Sequence, residues 1–192
     1  MPAEPNLWTT PNGLTLSRLP LTILLCVCVH HHWWPAAFFT FAAAAVTDWV
    51  DGWWARRFNQ LSMFGRTFDP LTDKVLLGCA FIFLLPVTDS GLEPWMTAVV
   101  VGRELLVTGI RGYVETLGKK FGADWFGKLK TIVQCVALLV ILFALWMRRL
   151  PEAEPLLSVL NVLQYGMIYA MLAATVLSGI QYTMKAARLM GE

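Results

Sequence analysis

Charged side chains are scarce in this sequence. Asp, Glu, Lys and Arg together make up 15% of the 192 residues, whereas hydrophobic residues make up 57%, and the formal net charge is only +2. A chain so poor in charge has no surplus of cations for binding a nucleic acid, and it carries more apolar surface than one soluble core can bury. We therefore expect an integral membrane protein with no nucleic-acid partner.

Ligands for soft metal ions are also few. The four cysteines, at positions 26, 28, 79 and 135, fall inside apolar runs without paired metal-ligand spacing, which predicts small buried apolar residues. The three histidines are consecutive and cannot share one helix face, so we expect a surface loop at His30, His31 and His32. The composition therefore predicts no zinc or copper site.

Internal repeats, low-complexity segments and long linkers are absent as well, so we expect residues 1–192 to form a single domain. Apolar runs of roughly 20 residues, enough to cross a hydrocarbon layer, recur between short charged or Pro- and Gly-containing breaks. The sequence predicts an all-α membrane protein with six transmembrane helices, preceded by a short interfacial segment, "MPAEPNLWTTPNG". The predicted spans are Leu14–Trp33, Pro35–Phe58, Asp69–Val87, Pro94–Leu117, Trp125–Met147 and Leu156–Lys185.

The distribution of cations predicts the orientation of these spans. With a cytoplasmic N-terminus, the opposite loops contain only Arg148 and Arg149, so the positive-inside rule places both termini in the cytoplasm. A cleaved signal peptide at Arg18 and the following apolar run is the alternative, which "HHHWWP" disfavours because it is a poor cleavage site. The cytoplasmic side then holds Arg18, Arg56, Arg57, Arg66, Lys74, Lys119, Lys120, Lys128, Lys130, Lys185 and Arg188.

Four aspartates, Asp48, Asp51, Asp69 and Asp73, lie within 26 residues of otherwise apolar sequence. An ionised Asp in a membrane helix is costly unless it faces water, a partner or a metal ion. The aspartates of the first pair are three residues apart and those of the second pair are four apart, so the members of each pair lie on one helix face. Two helices joined by a short link can bring these two faces together. Such a set of hard oxygen ligands suits Mg²⁺, Mn²⁺ or Ca²⁺. The alternative is pairing with nearby cations, namely Arg56, Arg57, Arg66 and Lys74, which explains one Asp more easily than all four.

Small residues accompany the aspartates. Gly52, Ala55 and Gly65 recur at helical spacing from them, and small side chains there let a flat or bulky group approach the backbone. Arg56 follows one turn after Gly52, where a guanidinium can meet a diphosphate.

The aspartates and the small residues follow the order D-x-x-D-G-x-x-A-R, then eight residues, then G-x-x-x-D-x-x-x-D. This order resembles the signature of the CDP-alcohol phosphotransferases. The resemblance implies a six-helix enzyme, usually a homodimer, in the bacterial inner (cell) membrane, with its active site facing the cytoplasm. It implies two divalent cations, Mg²⁺ or Mn²⁺, held by Asp48, Asp51, Asp69 and Asp73, with Asp73 also acting as the catalytic base. By the same resemblance the CDP-binding residues are Asn12, Thr15, Asp48, Gly52, Arg56, Ser62 and Gly65.

A second group of cations follows in the chain. Arg103 and Arg111 are eight residues apart, nearly on one face of the fourth helix, and Lys128 and Lys130 open the fifth helix on the same predicted side. Together they could hold a phosphate that does not belong to CDP. In the alternative interpretation Arg103 pairs with Glu104 or Glu115, and the lysines only reflect the positive-inside rule.

Three segments, "PNGLTLSRLPL", "GRELLVTGIR" and "GKLKTIVQ", look like those of the phosphatidylglycerophosphate synthases within this family. That likeness implies CDP-diacylglycerol as donor and sn-glycerol 3-phosphate as acceptor, with the acceptor phosphate held by Arg103, Arg111 and Lys128. The products would be phosphatidylglycerophosphate and CMP. Serine, inositol phosphate or phosphatidylglycerol remain as alternative acceptors. A divalent-cation transporter is the alternative of another class, disfavoured because the aspartates crowd at one side of the membrane instead of spanning its depth.

Overall fold

The computed structural model describes residues 10–57, 63–117 and 125–191, and this part of the chain is helical apart from short turns. The fifth helix has the predicted bounds, and the others start or end within a few residues of the predicted spans. The described residues form six long helices, α1 (Thr10–His30), α2 (Trp34–Arg57), α3 (Met63–Leu84), α4 (Pro94–Thr116), α5 (Trp125–Met147) and α6 (Glu154–Gly191).

Two helices begin at least four residues earlier than the predicted spans. Helix α3 starts at Met63 instead of Asp69. The prediction began the span after Gly65 and Arg66 because these residues are not apolar, but both can form the backbone hydrogen bonds of a helix. Helix α1 starts at Thr10, so the last four residues of the predicted interfacial segment form its first turn. The first nine residues of that segment lie outside the described part.

Helices α1, α2 and α3 form one compact unit, Met1–Leu84. In this unit α1 packs against both α2 and α3. The contact surfaces are apolar and closely packed, with Leu25 of α1, Phe41 of α2 and Phe81 of α3 almost completely buried. Helix α1 is therefore the element that α2 and α3 share as a partner.

Helices α4, α5 and α6 form the second compact unit, Leu85–Glu192, in which α6 packs against both α4 and α5. Leu138 and Ile141 of α5, and Ile168 and Met171 of α6, are fully buried. Gln164 of α6 donates hydrogen bonds to the carbonyl oxygens of the turn before α4, which satisfies backbone groups that would otherwise be buried without partners. The prediction of one domain for residues 1–192 stays a prediction.

Large apolar side chains also cover much of the surface. Leu105 of α4 is 67% exposed and Val162 of α6 is 77% exposed. Within the part of the chain that the structure describes, two helical stretches are long and apolar enough to cross a membrane, Gly127–Met147 and Pro151–Leu189, and shorter apolar stretches cover Arg18–His30 and Trp34–Thr47. These apolar helices indicate a membrane protein, while six spans and their orientation stay predictions.

Candidate functional site

The four aspartates flank the connection between α2 and α3. Asp48 and Asp51 lie in the last three turns of α2, and Asp69 and Asp73 lie in the first three turns of α3. The predicted CDP contacts Gly52 and Arg56 belong to the same part of α2, Gly65 to the start of α3, and Asn12 and Thr15 to the start of α1. Ser62 lies outside the described residues, as do the side chains of the other predicted CDP ligands and of Asp48, Asp51 and Asp69.

Asp73 is the one predicted metal ligand whose side chain the structure describes, and it forms an ion pair with α1. The Arg18 Nη1 atom donates a hydrogen bond to Asp73 Oδ1 over 2.6 Å. The Arg18 side chain is only 1% exposed, whereas that of Asp73 is 34% exposed. A charge-assisted bond of this kind fixes the direction of the carboxylate, and it links α1 to α3 at the level of the aspartates.

Arg18 was not predicted as a site residue, although the sequence indicates that its charge needs a partner. It stands at the edge of the apolar run of α1, and a buried guanidinium requires a counter-charge. The partner is 55 residues away in the chain, so spacing along one helix does not identify it. The cations considered as partners of the aspartates lie on α2 and α3, and the observed partner of Asp73 comes from α1.

The donor set fits a hard divalent cation. Asp73 offers carboxylate oxygens on α3, and Asp48, Asp51 and Asp69 add three more carboxylates within helices that both pack on α1. Among the described side chains no group of three or more His, Cys, Asp or Glu residues surrounds a common position, and the other three aspartates are not among those side chains. The fit therefore depends on the chemistry of the donors and on their helix positions.

A second charged cluster lies in the unit Leu85–Glu192, centred on Glu104 of α4. Arg103 Nη1 lies 3.4 Å from Glu104 Oε1, and Lys130 Nζ of α5 donates to the same oxygen. The Lys130 side chain is 4% exposed and that of Glu104 is 12% exposed. We call these three residues, Arg103, Glu104 and Lys130, the Glu104 cluster.

Helix α6 supports the Glu104 cluster through Arg103. The Arg103 Nη2 atom donates to Ser178 Oγ over 2.5 Å, and the guanidinium carbon lies 5.4 Å from the centre of the Tyr182 ring, within cation–π range. The Ser178 residue is buried as well. Arg103 is thus oriented by contacts from two helices.

Two glycines leave room for these side chains. A Cβ at Gly179 would lie 3.2 Å from Arg103 Cγ, and a Cβ at Gly127 would lie 2.6 Å from the Tyr182 hydroxyl oxygen. The second distance is shorter than a Cβ contact tolerates, so Gly127 determines how closely Tyr182 approaches α5.

These contacts include only one of the three residues that were predicted to hold the acceptor phosphate. Arg103 lies in the Glu104 cluster, Arg111 is partly exposed two turns further along α4, and Lys128 is exposed near the start of α5. Pairing of Arg103 with Glu104, the alternative interpretation, is observed. Lys130, which belongs to the predicted group of cations but not to the three residues that the family likeness implies, is the lysine that reaches the cluster.

Comparison with known proteins identifies similar chains. Residues 8–181 match the model of a family described as CDP-alcohol phosphatidyltransferase. A protein of Bacillus subtilis named CDP-diacylglycerol--glycerol-3-phosphate 3-phosphatidyltransferase is 41% identical over 103 residues, covering 53% of this chain and 52% of that protein. A protein of Escherichia coli K12 with the same name is 42% identical over 103 residues, covering 51% of this chain and 55% of that protein. The matched region thus spans about half the length of these relatives.

Proposed function

Because this chain belongs to the CDP-alcohol phosphatidyltransferase family, we propose that it transfers the phosphatidyl group of CDP-diacylglycerol to sn-glycerol 3-phosphate. The products are phosphatidylglycerophosphate and CMP. The observation that carries the proposal is that the family match includes every residue of the aspartate signature, from Asp48 to Asp73. The names of the relatives from Bacillus subtilis and Escherichia coli support the choice of donor and acceptor.

The proposed donor site consists of the four aspartates with the CDP-binding residues beside them. Asp48, Asp51, Asp69 and Asp73 hold two divalent cations, Mg²⁺ or Mn²⁺, which when bound neutralise the diphosphate of the donor and stabilise charge on the transferred group. The residues proposed to contact CDP are Asn12, Thr15, Asp48, Gly52, Arg56, Ser62 and Gly65.

Asp73 is proposed as the base that accepts the proton of the acceptor hydroxyl as the new P–O bond forms. The ion pair with Arg18 supports this role, because it holds one carboxylate oxygen and so restricts the direction in which the carboxylate faces. The role of Arg18 in this proposal is positioning. It touches Asp73 and leaves the proton transfer to that carboxylate.

The proposed acceptor site holds the phosphate of glycerol 3-phosphate with Arg103, Arg111 and Lys128. Arg103 is preorganised by Ser178 and Tyr182, so little side-chain freedom is lost when a ligand binds. The exposed position of Lys128 suits capture of a charged substrate from water.

The membrane setting of the enzyme is also part of the proposal. We place it in the bacterial inner (cell) membrane as a multi-pass homodimer with six spans, with the active site facing the cytoplasm. The excess of Lys and Arg on one side of the predicted spans supports this orientation, and the exposed apolar side chains of α4 and α6 support contact with lipid.

An acceptor panel tests the proposed reaction. The purified full chain is incubated with CDP-diacylglycerol and Mg²⁺ or Mn²⁺, and glycerol 3-phosphate, serine, inositol phosphate and phosphatidylglycerol are supplied separately. We expect CMP release and phosphatidylglycerophosphate, identified by mass spectrometry, with glycerol 3-phosphate only. Turnover with another acceptor and none with glycerol 3-phosphate would refute the choice of acceptor, and metal flux in proteoliposomes without CMP release would favour a transporter.

A further inference from the structure

Two cysteine side chains meet between α1 and α3. The thiols of Cys26 and Cys79 form a hydrogen bond with each other. Both residues were predicted to be buried, and the structure instead leaves each of them partly exposed. Because the two thiols are already in contact, small rotations of the side chains are enough to bring the sulfur atoms to bonding distance.

Both cysteines line an apolar cavity of about 670 Å³. The cavity lies along one face of α1 and one face of α3, and Leu19, Ile23 and Phe83 are among its lining residues. These three side chains are exposed, so the cavity opens at the surface of the two helices. In a membrane such a cavity admits an apolar compound dissolved in the lipid more readily than a polar compound.

An imidazole lines the same cavity. His30 follows Cys26 by four residues, about one turn of α1, and so lies on the same side of this helix. A thiol loses its proton when it becomes part of a disulfide, and a neutral imidazole can accept that proton. His30 is exposed at the end of α1, where the proton can pass on to water.

We propose that this cavity binds a membrane-soluble quinone, which oxidises Cys26 and Cys79 to a disulfide between α1 and α3. In this reaction the S–H bonds of both residues break and one S–S bond forms. Two electrons and two protons pass to the quinone, which leaves as the hydroquinone. Quinones drain electrons from protein thiols in bacteria, and their apolar rings and tails suit an apolar cavity of this size.

The disulfide ties together the two helices that carry the ion pair of Arg18 and Asp73. Arg18 lies about two turns before Cys26 on α1, and Asp73 lies less than two turns before Cys79 on α3. The oxidised form therefore restricts movement of α1 against α3 near Asp73 and lowers turnover, a consequence that rests on the proposed function. Formation of the disulfide does not rest on it.

Peptide mapping of the wild-type full chain tests the disulfide without any substitution. The reduced protein in detergent micelles is incubated with decylubiquinone, the remaining thiols are alkylated in denaturant, and the digest is analysed by mass spectrometry. We expect a peptide in which Cys26 and Cys79 are joined with the loss of two hydrogen atoms, an equal amount of hydroquinone, and alkylation of Cys28 and Cys135. Alkylation of all four cysteines would overturn the proposal, as would a disulfide that forms with iodine and not with the quinone.

Filling the cavity tests the quinone site itself. Ile23→Trp places a large side chain at a lining position, whereas Leu24→Trp places it at the next residue, which is exposed and does not line the cavity. We expect loss of the quinone-dependent disulfide in Ile23→Trp only, while iodine still joins the two thiols in both variants. Equal oxidation of the two variants by the quinone would overturn the assignment of the cavity.

Thermal unfolding and CMP release separate the disulfide from its consequence. The oxidised wild type should melt at a higher temperature than the reduced form, because a cross-link restricts the unfolded chain. Cys79→Ser should lose this difference, and the control Cys135→Ser should retain it. If the disulfide forms and neither form shows turnover, the quinone site stands and the proposed function fails. If turnover occurs and no disulfide forms, the function stands and this inference fails.

Discussion

Arg18 and Asp73, in the unit Met1–Leu84, pair one cation of α1 with one carboxylate of α3. The Glu104 cluster, in the unit Leu85–Glu192, places two cations on one carboxylate. The Arg18 side chain is almost completely buried, whereas that of Arg103 is 11% exposed. An ion pair of one cation and one carboxylate fixes the direction of the carboxylate, whereas a carboxylate that contacts two cations holds these cations close to each other.

The largest effect is expected from Asp73→Asn, which removes the proposed base and the negative member of the ion pair with Arg18. Turnover should fall about 10³-fold or more, since general base catalysis typically contributes that much, while binding of CDP-diacylglycerol is largely retained. The measurement is CMP release together with donor binding. The control is Asp89→Asn, an exposed aspartate whose backbone carbonyl, not its carboxylate, accepts the hydrogen bond from Arg148. Retained turnover in Asp73→Asn would remove Asp73 as the base.

The next effect concerns the cation of the same pair. Arg18→Ala removes the ion pair with Asp73 and should lower the free energy of unfolding by about 2 kcal/mol, the scale of a hydrogen bond to a charged group. Chemical denaturation in detergent measures the change. Because either single variant already removes the ion pair, adding Asp73→Ala to Arg18→Ala should cost less than the sum of the single changes. Strict additivity would show that the pair contributes nothing to stability.

In the unit Leu85–Glu192, Arg111→Ala should raise the apparent KM for glycerol 3-phosphate about tenfold, more than it raises KM for CDP-diacylglycerol. Steady-state kinetics with each substrate varied in turn measures the two constants. Arg149→Ala removes the same charge from an exposed position at the end of α5 and should leave both unchanged. Equal increases in KM for donor and acceptor in Arg111→Ala would argue against binding of the acceptor phosphate by Arg111.

The smallest effect comes from the glycine that accommodates Tyr182. Gly127→Ala brings a methyl group to 2.6 Å from the Tyr182 hydroxyl, and we expect a loss of about 1 kcal/mol through overpacking. Gly166→Ala in α6, where nothing lies within 4 Å of the new methyl group, should be neutral or slightly stabilising because Ala favours helix. Thermal melts of the two variants make the comparison. If Gly127→Ala left the melting temperature unchanged, the present position of Tyr182 against α5 would not contribute to stability.

Helices and local spacing were predictable because they depend on neighbours in the sequence. The bounds of α5 follow from an apolar run that starts after charged residues and ends at Arg148 and Arg149, and the shared face of Asp69 and Asp73 follows from helical periodicity alone. The proposed roles of the aspartates come from the family resemblance, since no spacing rule by itself selects a base among four carboxylates.

The partners of the buried cations were not predictable in the same way. Arg18 finds Asp73 over 55 residues, and Arg103 finds Ser178 over 75 residues. Such pairs depend on which helices pack together and on their rotation, which a single sequence does not specify. Pairing of Arg103 with Glu104 was considered because the residues are adjacent, but the contribution of Lys130 depends on how α4 and α5 each pack against α6.

Mn²⁺ binding followed by electron paramagnetic resonance tests most directly whether the aspartates of α2 and α3 bind divalent cations together. We predict two Mn²⁺ ions per chain in the wild type in the presence of CDP-diacylglycerol, and clear loss of bound Mn²⁺ in Asp48→Asn and in Asp69→Asn, with Asp89→Asn unchanged. Wild-type binding that persists at full stoichiometry in both variants would contradict a metal site shared by the two helices.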